Sequence, residues 1–199
     1  MSAPAATGAD VETARLGNPG EAAGRVLVIK LSALGDFVMA TGAMKAIRQA
    51  HPTARITLLT TPPFEALAKA SPWFDLVETD GRPRRWQDLL ALIRRLRKDR
   101  YDIVYDLQTS GRTQKYILGL WPKAPLWSGV GPGVSHPHAN PARLTMHPID
   151  RLAEQLWMAG LGPAEGWQDG AFPRPDLSWI GAAFGHPPRF TPEFFSVTE

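Results

Sequence analysis

From Arg25 onward the chain alternates short apolar runs with longer amphipathic ones. Val26 to Leu31 is a run of mostly branched apolar residues with the length of a buried strand. Phe37, Ala40, Thr41, Met44 and Ile47 then fall on one face of a helix, which His51-Pro52 stops. Arg55 to Thr60 reads as a second strand. Pro62-Pro63 opens a short helix from Phe64 to Ala70, and Asp75 to Thr79 reads as a third strand. Trp86, Leu89, Leu90, Ile93 and Leu96 mark an amphipathic helix. Asp102 to Leu107 reads as a fourth strand, with another helix from Arg112 to Leu120. Leu126 to Val130 is a candidate fifth strand. Pro148 to Ala159 reads as a helix, with Pro in its first turn and Gly160 just past its end.

Strands alternating with helices at this spacing predict an α/β fold: a doubly wound, Rossmann-like parallel sheet with right-handed crossovers, occupying residues 24–161. Residues 1–23, rich in Ala and Gly with Asp10, Glu12 and Glu21 among them, read as a disordered leader. Residues 162–199 break the rhythm with Gly162-Pro163, Pro173-Arg174-Pro175, His186-Pro187-Pro188 and Phe194-Phe195. They read as a Pro/Gly-rich linker or truncated tail.

Composition narrows the class. A length of 199 residues holds one ordinary domain plus extras, not two full ones. Without cysteine, neither a disulfide framework nor a thiolate metal site is available. The leader lacks the apolar core of a secretory signal, and no apolar run reaches bilayer length, so a cytoplasmic protein is expected. The net charge of +3 is unevenly spread. Between Arg82 and Arg100 lie Arg84, Arg85, Arg94, Arg95, Arg97 and Lys98, opposed only by Asp88 and Asp99. Such a block attracts phosphate or an anionic membrane surface, or is simply a solvated helix face.

The candidate chemistry sits in the turn after the first strand, Ser32-Ala33-Leu34-Gly35-Asp36. One glycine is too few for a dinucleotide fingerprint, and no Gly-Lys-Ser/Thr ends a Walker loop. The turn offers a hydroxyl, backbone amides and a carboxylate at the carboxyl edge of the sheet, where open α/β folds place ligands. Asp36 reads either as a helix cap or as a general base taking a proton from a sugar hydroxyl. Amides that hold a carboxylate lower its pKa and weaken it as a base.

Ile29-Lys30-Leu31-Ser32-Ala33-Leu34-Gly35-Asp36, followed by Ala40-Thr41-Gly42-Ala43-Met44-Lys45-Ala46-Ile47-Arg48, resembles the amino-terminal signature of the glycosyltransferase family 9 heptosyltransferases. Tyr101-Asp102-Ile103-Val104-Tyr105-Asp106-Leu107-Gln108 is similar to that family's Tyr-Asp…Asp-Leu-Gln strand, and His147-Pro148-Ile149-Asp150-Arg151 to its histidine-led helix. Gly42 departs from the pattern, since many members carry Pro there. The resemblance covers roughly residues 25–161 and stops short of the family's second-half motifs.

It implies the amino-terminal half of a GT-B glycosyltransferase. Such an enzyme moves heptose from ADP-heptose to the Kdo/heptose inner core of lipopolysaccharide, inverting and without a metal. The acceptor, Kdo-lipid A, would bind this half, with peripheral contact to the anionic inner-membrane surface. No cofactor is implied: ADP-heptose is a co-substrate of the other half, so the isolated chain is expected to be inactive. By resemblance Asp36 is the catalytic base, and Arg84 and Arg85 form a basic loop facing the anionic acceptor. Ser32, Gly35, Gln108, Arg112, His147 and Arg151 complete the implied substrate site. Guanidinium groups suit Kdo carboxylate and lipid A phosphate through forked hydrogen bonds. Two other readings stand beside this one: a GT-B transferase with another sugar acceptor, and a nucleic-acid-binding module using the stripe from Arg82 to Arg100.

Overall fold

A computed structural model describes residues 23–79, 81–168 and 170–184. Most of the leader, His186-Pro187-Pro188 and Phe194-Phe195 lie outside the described residues. The strands are β1 (Arg25–Ile29), β2 (Arg55–Leu59), β3 (Leu76–Glu78), β4 (Ile103–Asp106), β5 (Leu126–Gly129) and β6 (His136–Pro137). The helices are α1 (Leu34–Ala50), α2 (Glu65–Ala70), α3 (Trp86–Asp99), α4 (Gly111–Leu120), α5 (Pro148–Met158) and α6 (Trp179–Phe184). Short 3-10 turns at Pro62–Phe64 and Pro141–Leu144 precede α2 and α5.

All six strands pair in parallel in the order β3-β2-β1-β4-β5-β6. This is the doubly wound α/β sheet expected from the sequence. The chain winds outward from β1 in one direction, then from β4 in the other. The β1/β4 boundary is therefore the topological switch point, where such folds open a crevice at the carboxyl ends of the strands.

Both faces of the sheet are covered, and period-two alternation along β1 shows how. Val26 and Val28 face a cluster with Phe37, Met44 and Ile47 of α1 and Leu152 and Leu156 of α5. Leu27, Ile29 and Leu31 face the opposite cluster, with Leu92, Ile93 and Leu96 of α3 and Tyr116, Ile117 and Leu120 of α4. The same alternation puts Lys30 on the α1/α5 side. On the other side α3 and α4 approach so closely that a Cβ on Gly119 would overlap Ile93.

Three elements lack a signature in the sequence: β6, the turn before α5, and α6. The segment before α6 lies against α1. Asp176 pairs with Lys45 at 3.1 Å, and its backbone amide donates to the Thr41 hydroxyl at 3.2 Å. Trp179 packs edge-on against Trp73. A Cβ on Gly42 would overlap the Pro173 carbonyl oxygen. Gly42 is thus the notch that admits this strap.

Candidate active site

Side chains from both strands bridge the switch point. Gln108, just past β4, accepts hydrogen bonds through Oε1 from the Leu31 amide at 2.9 Å and the Ser32 amide at 3.2 Å. These amides leave β1 with no strand partner, and the glutamine replaces it. Behind it Lys30 is 6 % exposed, and its ammonium donates to the Leu107 carbonyl at 3.2 Å. Burial lowers the Lys30 pKa and the positive charge of Arg151 lowers it further, while Asp36 and Asp106 pull it up. Two carboxylates and a guanidinium thus lie within electrostatic reach of one buried ammonium.

Asp36 occupies the third position of α1 and is half-buried. Its Oδ2 reaches back to accept from the Ala33 amide at 3.3 Å. That is one half of a capping box; Ala33 has no side-chain acceptor to supply the other half. Among the described residues Oδ1 has no hydrogen-bond partner, so a lone pair stays open to an incoming hydroxyl. The cap and base readings are compatible because they use different oxygens.

Asp106 ends β4 and is buried. Its Oδ1 accepts from the Gln108 amide at 3.1 Å and the Thr109 amide at 2.9 Å. Thr109 has φ of 44°, a left-handed conformation that a β-branched residue adopts only when its surroundings impose it. The two amide bonds to Asp106 impose it. Burial pushes the Asp106 carboxyl up to about 6, against the Thr113 hydroxyl, the Thr109 and Gln108 amides and the Lys30 charge, which all act downward.

The other candidates take different positions. The Ser32 hydroxyl receives the guanidinium of Arg82, which anchors the loop carrying Arg84 and Arg85. A Cβ on Gly35 would meet open space, so the first turn of α1 is uncrowded there. Arg84 and Arg85 are exposed, Arg85 at the N-cap of α3. Arg112 is exposed on the first turn of α4. His147 caps α5, its Nδ1 accepting from the Ile149 amide at 3.4 Å, which is the ordinary loop role for a His before Pro. Arg151 is half-buried one turn further along α5. The switch point therefore gathers Asp36, Ser32, Gln108 and Arg151, with Arg84, Arg85 and Arg112 on nearby loops and helix starts.

Sequence reasoning gave no role to Lys30 or Asp106, and counted Arg82 only as one end of the basic stripe. A lysine inside an apolar strand and an acid at the end of another were visible signals; the Arg82 contact was not. A cavity of about 550 Å³ between α1, α5 and residues 167–174 is lined by Met39, Ala153, Trp167 and Arg174, not by the switch-point residues.

Comparisons with solved structures support the fold. The chain is similar to a glycosyl transferase family 9 structure from Veillonella parvula, with 22% identity and a TM-score of 0.60, over 70% of this chain and 42% of that one. It is similar to E. coli heptosyltransferase WaaC with ADP, with 20% identity and a TM-score of 0.52, over 73% of this chain and 50% of that one. The fold is one found in GT-B glycosyltransferases. The chain spans half or less of the length of these structures. No family model and no curated protein matches the sequence.

Proposed function

We propose that this chain is the acceptor-binding half of a GT-B glycosyltransferase of the family 9 type, moving heptose from ADP-heptose to the Kdo/heptose inner core of lipopolysaccharide. The observation that carries the reading is Asp36: a carboxylate at the β1/β4 switch point with one oxygen holding the helix start and the other open. In the reaction an acceptor hydroxyl oxygen attacks the anomeric carbon of the donor sugar. The bond from that carbon to the ADP oxygen breaks, ADP departs, and Asp36 takes the hydroxyl proton. Attack opposite the leaving group inverts the anomeric centre, and no metal is required by this scheme. Arg84, Arg85 and Arg112 bind the acceptor's carboxylate and phosphates, and Ser32 and Gln108 shape the turn beside Asp36.

On this reading the donor nucleotide is held outside these 199 residues, so the chain alone binds acceptor without transferring sugar. Orientation of both substrates supplies much of such a reaction's rate. The protein works on the cytoplasmic side, against a lipid-linked acceptor. Titration of the chain with Kdo-lipid A in detergent tests the reading. Saturable binding is expected, weakened about tenfold or more in Arg84→Ala/Arg85→Ala through loss of charge-assisted bonds. Absence of saturable binding, or binding indifferent to both arginines, contradicts it.

A further inference from the structure

The loop after α5 walls the cavity of about 550 Å³ that lies between it, α1 and α5. That volume falls within the range of small-molecule sites, about 300–1,000 Å³. The wall is pinned at both ends. Near its start the Trp157 indole N–H donates to the Pro163 carbonyl at 2.9 Å. The Phe172 ring, 9% exposed, packs so closely on Gly162 that a Cβ there would overlap it. At the far end Pro173 rests on Gly42, and Asp176 is held by Lys45. Gly162 and Gly170 have φ of 79° and 83°, left-handed values that glycine adopts without strain, so the bends of the loop are set by its sequence.

Met39, Ile149 and the half-buried Trp167 give the cavity an apolar side. Asp150, Gln168 and Arg174 give it a polar one. All three are exposed, and among the described residues none of their side chains has a hydrogen-bond or ion-pair partner. They supply different chemistry: the carboxylate accepts, the guanidinium donates, and the carboxamide does both. The charges of Asp150 and Arg174 offset each other, so the cavity selects for neither an anion nor a cation. A phosphate would meet the Asp150 carboxylate repulsively, and a wholly apolar ligand would strip water from three polar groups without replacing it. A saturated ring with hydroxyls around its edge fits both sides. Each hydroxyl donates and accepts, and the C–H face of the ring lies against an indole. Trp167, Gln168 and Arg174 fall beyond residue 161, outside the stretch that carries the family resemblance.

We propose that this cavity is a binding site for a neutral pyranose, with Trp167 under the sugar face and Asp150, Gln168 and Arg174 as its hydrogen-bonding rim. The site is separate from the switch-point crevice. It goes beyond the transfer reading and does not depend on it, since Asp36, Arg84 and Arg85 take no part. Backbone-amide NMR of the chain, titrated in turn with the methyl pyranosides of glucose, galactose and mannose, tests it. Saturable shifts at Met39, Asp150, Trp167, Gln168 and Arg174 are expected with at least one of the three. Trp167→Ala is expected to weaken that binding about tenfold. Gln168→Ala/Arg174→Ala, at two exposed positions, is expected to weaken it about fivefold or more with an unchanged melting temperature. No saturable shift with any of the three sugars overturns the proposal, as does wild-type affinity in both variants. So does inorganic phosphate binding at the same amides more tightly than the sugars, or sugar shifts gathered at residues 32–36 and 108–112 instead. The titration with Kdo-lipid A reads Arg84 and Arg85 separately, so either proposal can fail while the other stands.

Discussion

Asp106 and Lys30 carry the chemistry that sets stability at the residue scale. In the unfolded chain an aspartate titrates near 3.9, whereas burial holds Asp106 at about 6 in the fold. Between those values the folded state keeps a proton that the unfolded state has released, so this residue's contribution falls as pH rises through the window. Asp106→Asn keeps an acceptor for the Gln108 and Thr109 amides and removes the charge. Relative to the wild type, the variant is expected to gain up to about 3 kcal/mol between pH 4 and pH 7, read from urea unfolding at both pH values. Parallel pH profiles for the two proteins would contradict this. Lys30 acts with the opposite proton balance in the alkaline range: its lowered pKa means that stability rises with pH from its folded value to its unfolded one. Gln108→Ala removes the acceptor for two amides of the β1 end. It is expected to cost about 1–3 kcal/mol, checked by the same unfolding measurement, whereas Gln108→Glu retains an acceptor and costs less.

Secondary elements differ in how plainly the sequence announces them. β1 is legible because Val26 to Leu31 is apolar on both sides of the alternation, as a strand covered on two faces must be. α3 is legible because Leu89, Ile93 and Leu96 do face the core, but Trp86 and Leu90, read from the sequence as part of the same stripe, are exposed, and Leu92 is buried instead. β6 has two residues, His136 and Pro137, too few for any period to appear. The strap across α1 escapes for another reason: its hold is a set of tertiary contacts between residues over a hundred positions apart. Gly42 is its local trace, a glycine inside a helix, yet nothing in the sequence couples it to Pro173. Gly42→Ala is expected to force the strap backbone away, with a cost of about 1–3 kcal/mol in thermal or urea unfolding. A variant as stable as the wild type would mean that the strap does not rest on α1.

For the whole molecule, strand order does most of the work. The order β3-β2-β1-β4-β5-β6 brings together a turn after residue 30 and a turn after residue 107, far apart in the chain. Motif reading could name Asp36 from its place in the turn after the first strand, and Gln108 from the resemblance of Asp106-Leu107-Gln108 to a known strand motif. It could not show that Gln108 caps the β1 amides, or that Asp36 divides its oxygens between helix and crevice, because both depend on register between non-adjacent segments. No helix among the described residues is long and apolar enough to cross a membrane. The central claim is that the switch-point crevice receives an anionic sugar. Backbone-amide NMR during titration with soluble Kdo tests it most directly. Shifts concentrated at residues 32–36, 82–85 and 108–112 are the predicted result, and shifts absent there or gathered at the opposite edge of the sheet would contradict the account.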